Sequence, residues 1–73
     1  MIPITVNYDG IDGTKDDIAR TILEKYGGGS VGTGYDFTIG ERNLFCRVPT
    51  NAVAPCVAAL RDAGFRVKAD GTA

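Results

Sequence analysis

The sequence predicts an α+β domain of ferredoxin-like topology, in which one four-stranded antiparallel sheet carries both helices on a single face. Three observations predict it. Four segments alternate apolar and polar residues, which is typical of half-buried strands, and two segments repeat apolar residues at helical spacing. Along the chain these segments follow the order βαββαβ. The chain of 73 residues is long enough for one such domain only, over residues 1–73.

The first strand is predicted where apolar residues alternate with polar ones and Pro3, up to a turn at Asp9-Gly10. Its apolar members are Ile2, Ile4, Val6 and Tyr8. A helix should follow, because Thr14 and Asp17 resemble a variant capping box and Gly27 is a typical C-terminal stop. Its apolar stripe is Ile18, Ala19, Ile22, Leu23 and Tyr26.

A hairpin is predicted next, with a turn over residues 40–43. In its first strand every second residue is predicted to face inward, namely Val31, Thr33, Tyr35, Phe37 and Ile39. In its second strand Leu44, Cys46 and Val48 alternate with Phe45 and Arg47. Pairing Ile39 with Leu44 opposes Phe37 to Cys46, and it opposes Asp36 to Arg47 on the other face. This register predicts that Tyr35 and Phe37 are buried and that Phe45 is exposed.

The second helix is predicted to begin at a cap provided by Thr50 or Asn51 and to end at Gly64. A short last strand should then turn Phe65 and Val67 inward, and residues 70–73 should fray. The predicted core consists of the apolar residues that the strands and helices turn toward each other. It contains Ile4, Val6, Tyr35, Phe37, Ile39, Leu44, Cys46, Val48 and Val67 from the sheet and Ile18, Ile22, Leu23, Val53, Val57 and Leu60 from the helices.

Composition excludes most catalytic chemistry. The chain has no histidine, so the commonest general base and metal ligand are missing. Cys46 and Cys56 are predicted to be buried free thiols, and their spacing fits neither a redox nor a zinc motif. A formal GxGxxG over residues 27–32 follows a helix instead of preceding one, which disfavours phosphate binding. The expectation is a protein that is not an enzyme and has no cofactor or metal.

Half of the ten glycines lie between Gly27 and Gly34. Gly32 and Gly34 should lie on the helix-free face of an edge strand that has no charge before Asp36. Such an edge favours β-augmentation or homodimerisation. The alternative is a β-bulge that requires glycine.

The helix-free face also carries Phe45, an aromatic residue on a side of the sheet that is otherwise polar. Phe45 could anchor a protein partner, or it could stack a base as in an RNA recognition motif. The segment 42–48 lacks the glycine and second aromatic of that motif, and the net charge of −1 gives no basic footprint, so a protein partner is favoured over RNA. The predicted partner-binding residues are Gly32, Gly34, Asp36, Phe45, Arg47, Arg66 and Lys68.

The N-terminus has no basic export signal, and the longest apolar stretch, residues 52–60, is too short for a bilayer span, so a cytoplasmic location without membrane contact is expected. In size, layout and lack of a cofactor motif, the whole chain resembles the small single-domain proteins of phages and mobile elements, anti-CRISPR proteins among them. The resemblance implies a phage-encoded inhibitor that acts in the host cytoplasm by stoichiometric binding to a bacterial defence (CRISPR-Cas) complex.

Overall fold

The computed structural model of the chain describes residues 1–69. Its elements are β1 (Ile2–Asp9), α1 (Gly13–Lys25), β2 (Gly29–Asp36), β3 (Glu41–Val48), α2 (Val53–Asp62) and β4 (Arg66–Ala69), with a 3-10 turn over Thr50–Ala52. The strands form one sheet in the order β2-β3-β1-β4, and every neighbouring pair is antiparallel. The predicted ferredoxin-like topology is confirmed. The prediction for residues 70–73 lies outside the described residues.

Both helices begin differently from the prediction. Asp12, in extended conformation, caps α1 by accepting the Thr14 amide N–H at 2.9 Å, so Thr14 lies inside the helix. The 3-10 turn leads directly into α2, and Ala52, the residue that precedes this helix, makes no side-chain capping bond. Its amide N–H instead donates to the Pro49 carbonyl at 2.9 Å. A backbone turn therefore replaces the cap expected from Thr50 or Asn51.

Both helices end at the predicted glycines. Gly27 and Gly64 have φ values of 78° and 97°, in the left-handed region that glycine adopts without steric cost. After α1, Gly28 donates its N–H to the Leu23 carbonyl at 2.8 Å, and after α2, Phe65 donates to the Leu60 carbonyl at 3.1 Å. These bonds are those of a Schellman motif.

The core lies between the helices and the inner face of the three strands β3, β1 and β4. Its buried apolar residues are Ile4, Val6, Tyr8, Ala19, Leu23, Leu44, Cys46, Val48, Cys56, Val57, Leu60, Phe65 and Val67. Ile22 and Val53 pack against this core while partly exposed, whereas Ile18, which the sequence placed in it, is exposed. Burial of both cysteines and the inward direction of Phe65 and Val67 are confirmed.

The hairpin register differs from the prediction. Asp36 pairs with Glu41 and Thr33 pairs with Leu44, so the turn spans residues 37–40. The Asp36 carboxylate accepts the Thr38 amide N–H at 2.9 Å, and Gly40 closes the turn with φ 66°. This turn chemistry outweighs the apolar alternation, and it leaves Phe37 88% exposed. The predicted burial of Phe37 and Ile39 is wrong, and Tyr35 is only half-buried.

The edge strand β2 contains a bulge. The pairing with β3 shifts between Ser30 and Gly32, so Val31 is an inserted residue, and its side chain is 65% exposed. The bulge was the alternative explanation for the glycines. However, neither Gly32 nor Gly34 has a positive φ, so the backbone conformation itself does not require glycine at these two positions.

Candidate functional site

The helix-free surface of the sheet, called here the open face, carries all the residues that the sequence assigned to partner binding. Thr5 lies between Phe45 and Lys68, and in the next row Asn7 lies between Asn43 and Arg66. Because side chains alternate across a strand, directly opposed residues share a face. The residues assigned to partner binding that lie on this face are Gly32, Gly34 and Asp36 on β2, Phe45 and Arg47 on β3, and Arg66 and Lys68 on β4.

Gly32 and Gly34 of β2 make room for the Phe45 ring. A Cβ placed on Gly34 would lie 3.5 Å from Phe45 Cε2, and one on Gly32 would lie 3.8 Å from Phe45 Cδ2. The ring therefore covers backbone that the sequence analysis expected to be bare, an arrangement typical of an aromatic packed across glycine in a neighbouring strand. Phe45 itself remains 46% exposed, which confirms its predicted position on the open face.

Gly34 is expected to accept a side chain without loss of stability. Gly34→Val should leave the free energy of unfolding unchanged or raise it by up to about 1 kcal/mol, because valine favours strands and its Cβ would only touch the Phe45 ring. Thermal unfolding followed by circular dichroism tests this. The control is Gly64→Val, where φ is 97° and no part of residues 1–69 outside the adjoining backbone lies within 4 Å of the new Cβ, so strain alone should destabilise by about 1–2 kcal/mol. Equal losses in the two variants would contradict the expectation.

Arg66 is held within the open face by two carboxylates. Its Nη2 lies 2.8 Å from Asp9 Oδ1 and 2.7 Å from Glu41 Oε2, so its charge is shared with both. Arg47 and Lys68 have exposed side chains. Among residues 1–69, the three basic residues of this face are matched by three acidic ones, Asp9, Asp36 and Glu41. The open face is therefore charge-balanced, which disfavours a polyanionic ligand.

Asn7 is a buried polar residue in the middle of the open face. Its Nδ2 donates to Asn43 Oδ1 and to Glu41 Oε1, the latter at 3.4 Å. Its Oδ1 is buried and has no hydrogen-bond partner among residues 1–69. Arg66, directly opposite on β4, reaches past Asn7 to Glu41. This part of the face is a packed polar network.

A buried ion pair joins α1 to β3. Arg42 Nη2 lies 3.0 Å from Asp16 Oδ2, and the Tyr8 hydroxyl donates to Asp16 Oδ1 at 2.5 Å. Burial raises the pKa of the Asp16 carboxyl, but the hydrogen bonds from Arg42 and Tyr8 lower it by more than burial raises it. The pKa is therefore below its usual value, and the carboxyl stays ionised. Burial and the bond to Asp16 raise the pKa of Tyr8, so the phenol keeps its proton. Since its partners occupy both oxygens, Asp16 is a structural anchor.

Neither cysteine is placed for nucleophilic chemistry. Burial, with a smaller contribution from Cys56, raises the pKa of the Cys46 thiol to about 11, and burial also raises that of Cys56. Both are free thiols, and a thiol that resists ionisation is a poor nucleophile. Within residues 1–69, no three acidic or cysteine side chains converge as metal ligands.

A shallow groove of about 530 Å³ runs along the outer side of α2, beside the end of β4. Its lining residues are Thr50, Val53, Ala54, Val57, Ala58, Arg61 and Ala69. The charged member, Arg61, donates to the Val67 carbonyl at 3.1 Å and so belongs to the fold. Among residues 1–69, the lining of the groove contains no carboxylate and no cysteine.

Apolar side chains crowd the turn between β2 and β3. The rings of Tyr35 and Phe37 meet edge to face at 5.0 Å, and Ile39 in the same turn is exposed. Gly10 donates its N–H to the Gly40 carbonyl at 2.8 Å, which brings the exposed Ile11 beside this turn. We call Ile11, Tyr35, Phe37 and Ile39 the hairpin patch.

The hairpin patch is absent from the sequence predictions, because apolar alternation placed Tyr35, Phe37 and Ile39 in the core. The signal that could have found it is the spacing of Asp36 and Gly40. An aspartate that bonds the backbone two residues on, followed by a glycine in the left-handed region, is sufficient for a turn. The two apolar residues between them then have no strand partner.

Comparison of the chain with models of protein families, with curated proteins and with solved structures finds no match. None of the helices within residues 1–69 has the length and apolar character needed to cross a bilayer.

Proposed function

We propose that this protein is a non-enzymatic protein-binding module that contacts its partner through the hairpin patch and the adjoining edge of β2. The observation that carries the proposal is the exposure of the hairpin patch. Single exposed apolar residues are common on small proteins, but a cluster at one end of a sheet is typical of an interaction surface. Phe37 is the natural anchor, because aromatic residues contribute most to interface affinity and this ring is 88% exposed.

A comparison of the two edge strands also favours the β2 side of the molecule as the binding surface. The β4 edge carries Arg66 and Lys68, and Arg61 bonds the Val67 carbonyl. Charged side chains are a usual protection of an edge strand against pairing. The β2 edge is uncharged before Asp36, and after its bulge it runs regularly over residues 32–36. It is therefore the edge open to β-augmentation, and it leads directly into the hairpin patch.

RNA binding on the open face is the second candidate, favoured by Phe45 with the exposed cations Arg47 and Lys68 nearby. Two features count against it. The face presents one aromatic, whereas RNA recognition motifs stack two or three bases. Arg66 is already paired with two carboxylates. If RNA is nevertheless the ligand, affinity should fall steeply with salt, which an apolar interface does not show.

The resemblance to small phage and mobile-element proteins supplies a target class. We propose a bacterial defence complex such as CRISPR-Cas as the partner, inhibited by stoichiometric occupation of its surface. An apolar anchor beside an unpaired edge suits this role, because occupation requires affinity and no chemistry.

Capture from nuclease-treated bacterial lysate tests the proposal. The immobilised protein should retain a protein partner after nuclease, and Phe37→Ser with Ile39→Ser should reduce retention at least about tenfold, the loss expected for an interface anchor. The matched control is Phe45→Ser on the open face, which should retain the partner. Loss of all captured material after nuclease, or a loss confined to Phe45→Ser, would contradict the proposal and support RNA binding.

A further inference from the structure

We propose that the β2 edge binds a second copy of this chain, with the two β2 strands antiparallel about a two-fold axis at Gly34. The two sheets would then form one continuous eight-stranded sheet. The inference rests on the proposed function, in which the β2 edge is a protein-binding surface, and it names the occupant of that edge. Its support comes from the register that the strand imposes on such a pairing.

The bulge at Ser30 and Gly32 limits the regular part of the edge to residues 32–36. The middle of this segment is Gly34. Antiparallel pairing about Gly34 opposes Thr33 to Tyr35 of the second copy. A polar β-branched residue facing an aromatic is a favourable cross-strand pair. The two-fold axis repeats this pair, so the dimer contains it twice.

The same register also brings together the exposed apolar side chains that flank this segment. Val31, in the bulge and 65% exposed, would lie near Phe37 of the second copy, which is in the hairpin turn and 88% exposed, and this approach also occurs twice. An axis at Thr33 would place Phe37 opposite Gly29 and leave the ring without a partner. The axis at Gly34 is therefore the one that removes both side chains from water.

Charge is compatible with this register. The only charged residue of β2 is Asp36, and it would lie opposite Gly32 of the second copy, not opposite its own equivalent. An axis at Asp36 would bring the two carboxylates face to face. The net charge of −1 adds little repulsion between copies.

A two-fold axis at Gly34 stands perpendicular to the sheet, so both helix layers lie on one side and both open faces on the other. Each Phe45 ring already lies beside Gly34 of its own chain. Three strand spacings separate β3 of one copy from β3 of the other, which places the two rings about 14 Å apart on one continuous surface. Pairing thus doubles the open face and leaves it accessible.

Disulfide cross-linking of Gly34→Cys tests the axis. Directly opposed residues have Cα atoms about 4.5–5.5 Å apart, within the range that a disulfide spans. Mild oxidation should convert most of this variant to a covalent dimer. Thr33→Cys would lie diagonal to its equivalent and Lys68→Cys is on the other edge, so both should stay largely monomeric. Cross-linking at either control position equal to that at position 34 would overturn the proposal.

Sedimentation of the unmodified chain provides the second test. The chain should show a concentration-dependent dimer. Gly34→Lys should weaken dimerisation at least about tenfold, because two ammonium groups would meet at the axis. Ala58→Lys adds the same charge on α2, where the side chain is exposed, and should leave dimerisation unchanged. Circular dichroism of both variants confirms that they fold.

A chain that stays monomeric at about 1 mM, or a dimer insensitive to Gly34→Lys, would overturn the inference. Nuclease-resistant capture of a different protein that depends on Phe37 would in that case leave the proposed function standing. The two ideas therefore fail separately.

Discussion

Replacing Gly28 by alanine is expected to lower the free energy of unfolding by about 3 kcal/mol, at the upper end of what overpacking costs. The added Cβ would lie 2.5 Å from Val48 Cγ1 and 2.6 Å from the Arg47 carbonyl oxygen. Neither neighbour is free to move, because Val48 is fully buried and the carbonyl belongs to the backbone of β3. Gly28 also donates the hydrogen bond that ends α1. The free energy of unfolding expected for a chain of this length is roughly 4–11 kcal/mol. The loss is therefore a large part of the total stability.

Thermal and urea unfolding measure this loss, and a decrease in Tm of about 10–20 °C is expected for a domain of this size. The matched control is Gly29→Ala, one residue further on, where within residues 1–69 only the chain neighbours lie within 4 Å of the new Cβ. That change should leave the protein as stable or make it up to about 1 kcal/mol more stable. If both variants unfold alike, the close approach of Gly28 to β3 is not the cause.

Asp16→Asn is expected to cost about 3 kcal/mol, because it leaves Arg42 without the carboxylate that offsets its burial. The side chains of Asp16 and Arg42 are only 9% and 18% exposed. The matched control is Asp17→Asn in the same helical turn. Asp17 is 81% exposed and lies 3.7 Å from Arg20, so its loss should cost at most about 0.5 kcal/mol.

The cost of Asp16→Asn should also depend on pH. The folded state holds the pKa of Asp16 below its usual range, because the hydrogen bonds from Arg42 and Tyr8 outweigh the effect of burial, which acts in the opposite direction. A carboxyl of this kind contributes its full stability above its unfolded pKa of about 3.9 and loses it as the pH falls through the folded pKa. The difference between the native chain and the variant should therefore shrink below about pH 4. Urea unfolding at several pH values measures it, and a constant difference would contradict the assignment.

Much of the fold could be predicted because its signals are local. Gly27 and Gly64 end the helices as expected, since only glycine adopts a positive φ there without strain. Alternation along β1 and β3 identified their buried sides, and the same alternation placed Phe45 on the open face. These features depend on the residue and its near neighbours, so the sequence contains them.

The candidate site was predicted in part for the same reason. All seven residues assigned to partner binding lie on the open face, because their position follows from strand alternation. Their roles could not be predicted. Arg66 is occupied by Asp9, which lies 57 residues away in the chain, and Gly34 serves the Phe45 ring of the neighbouring strand. Such contacts exist only once the strands are paired.

By itself the sequence determined the fold class, the order of the elements, the helix ends and the inward sides of three strands. Only the tertiary structure decided the hairpin register, the ion pair between Asp16 and Arg42, and the exposure of Phe37 and Ile39. The physical reason is that alternation shows which side chains share a face, but not whether a helix covers that face. The helices do not fully cover the inner face of β2 and of the turn that follows it, so residues in a pattern typical of a core strand lie at the surface.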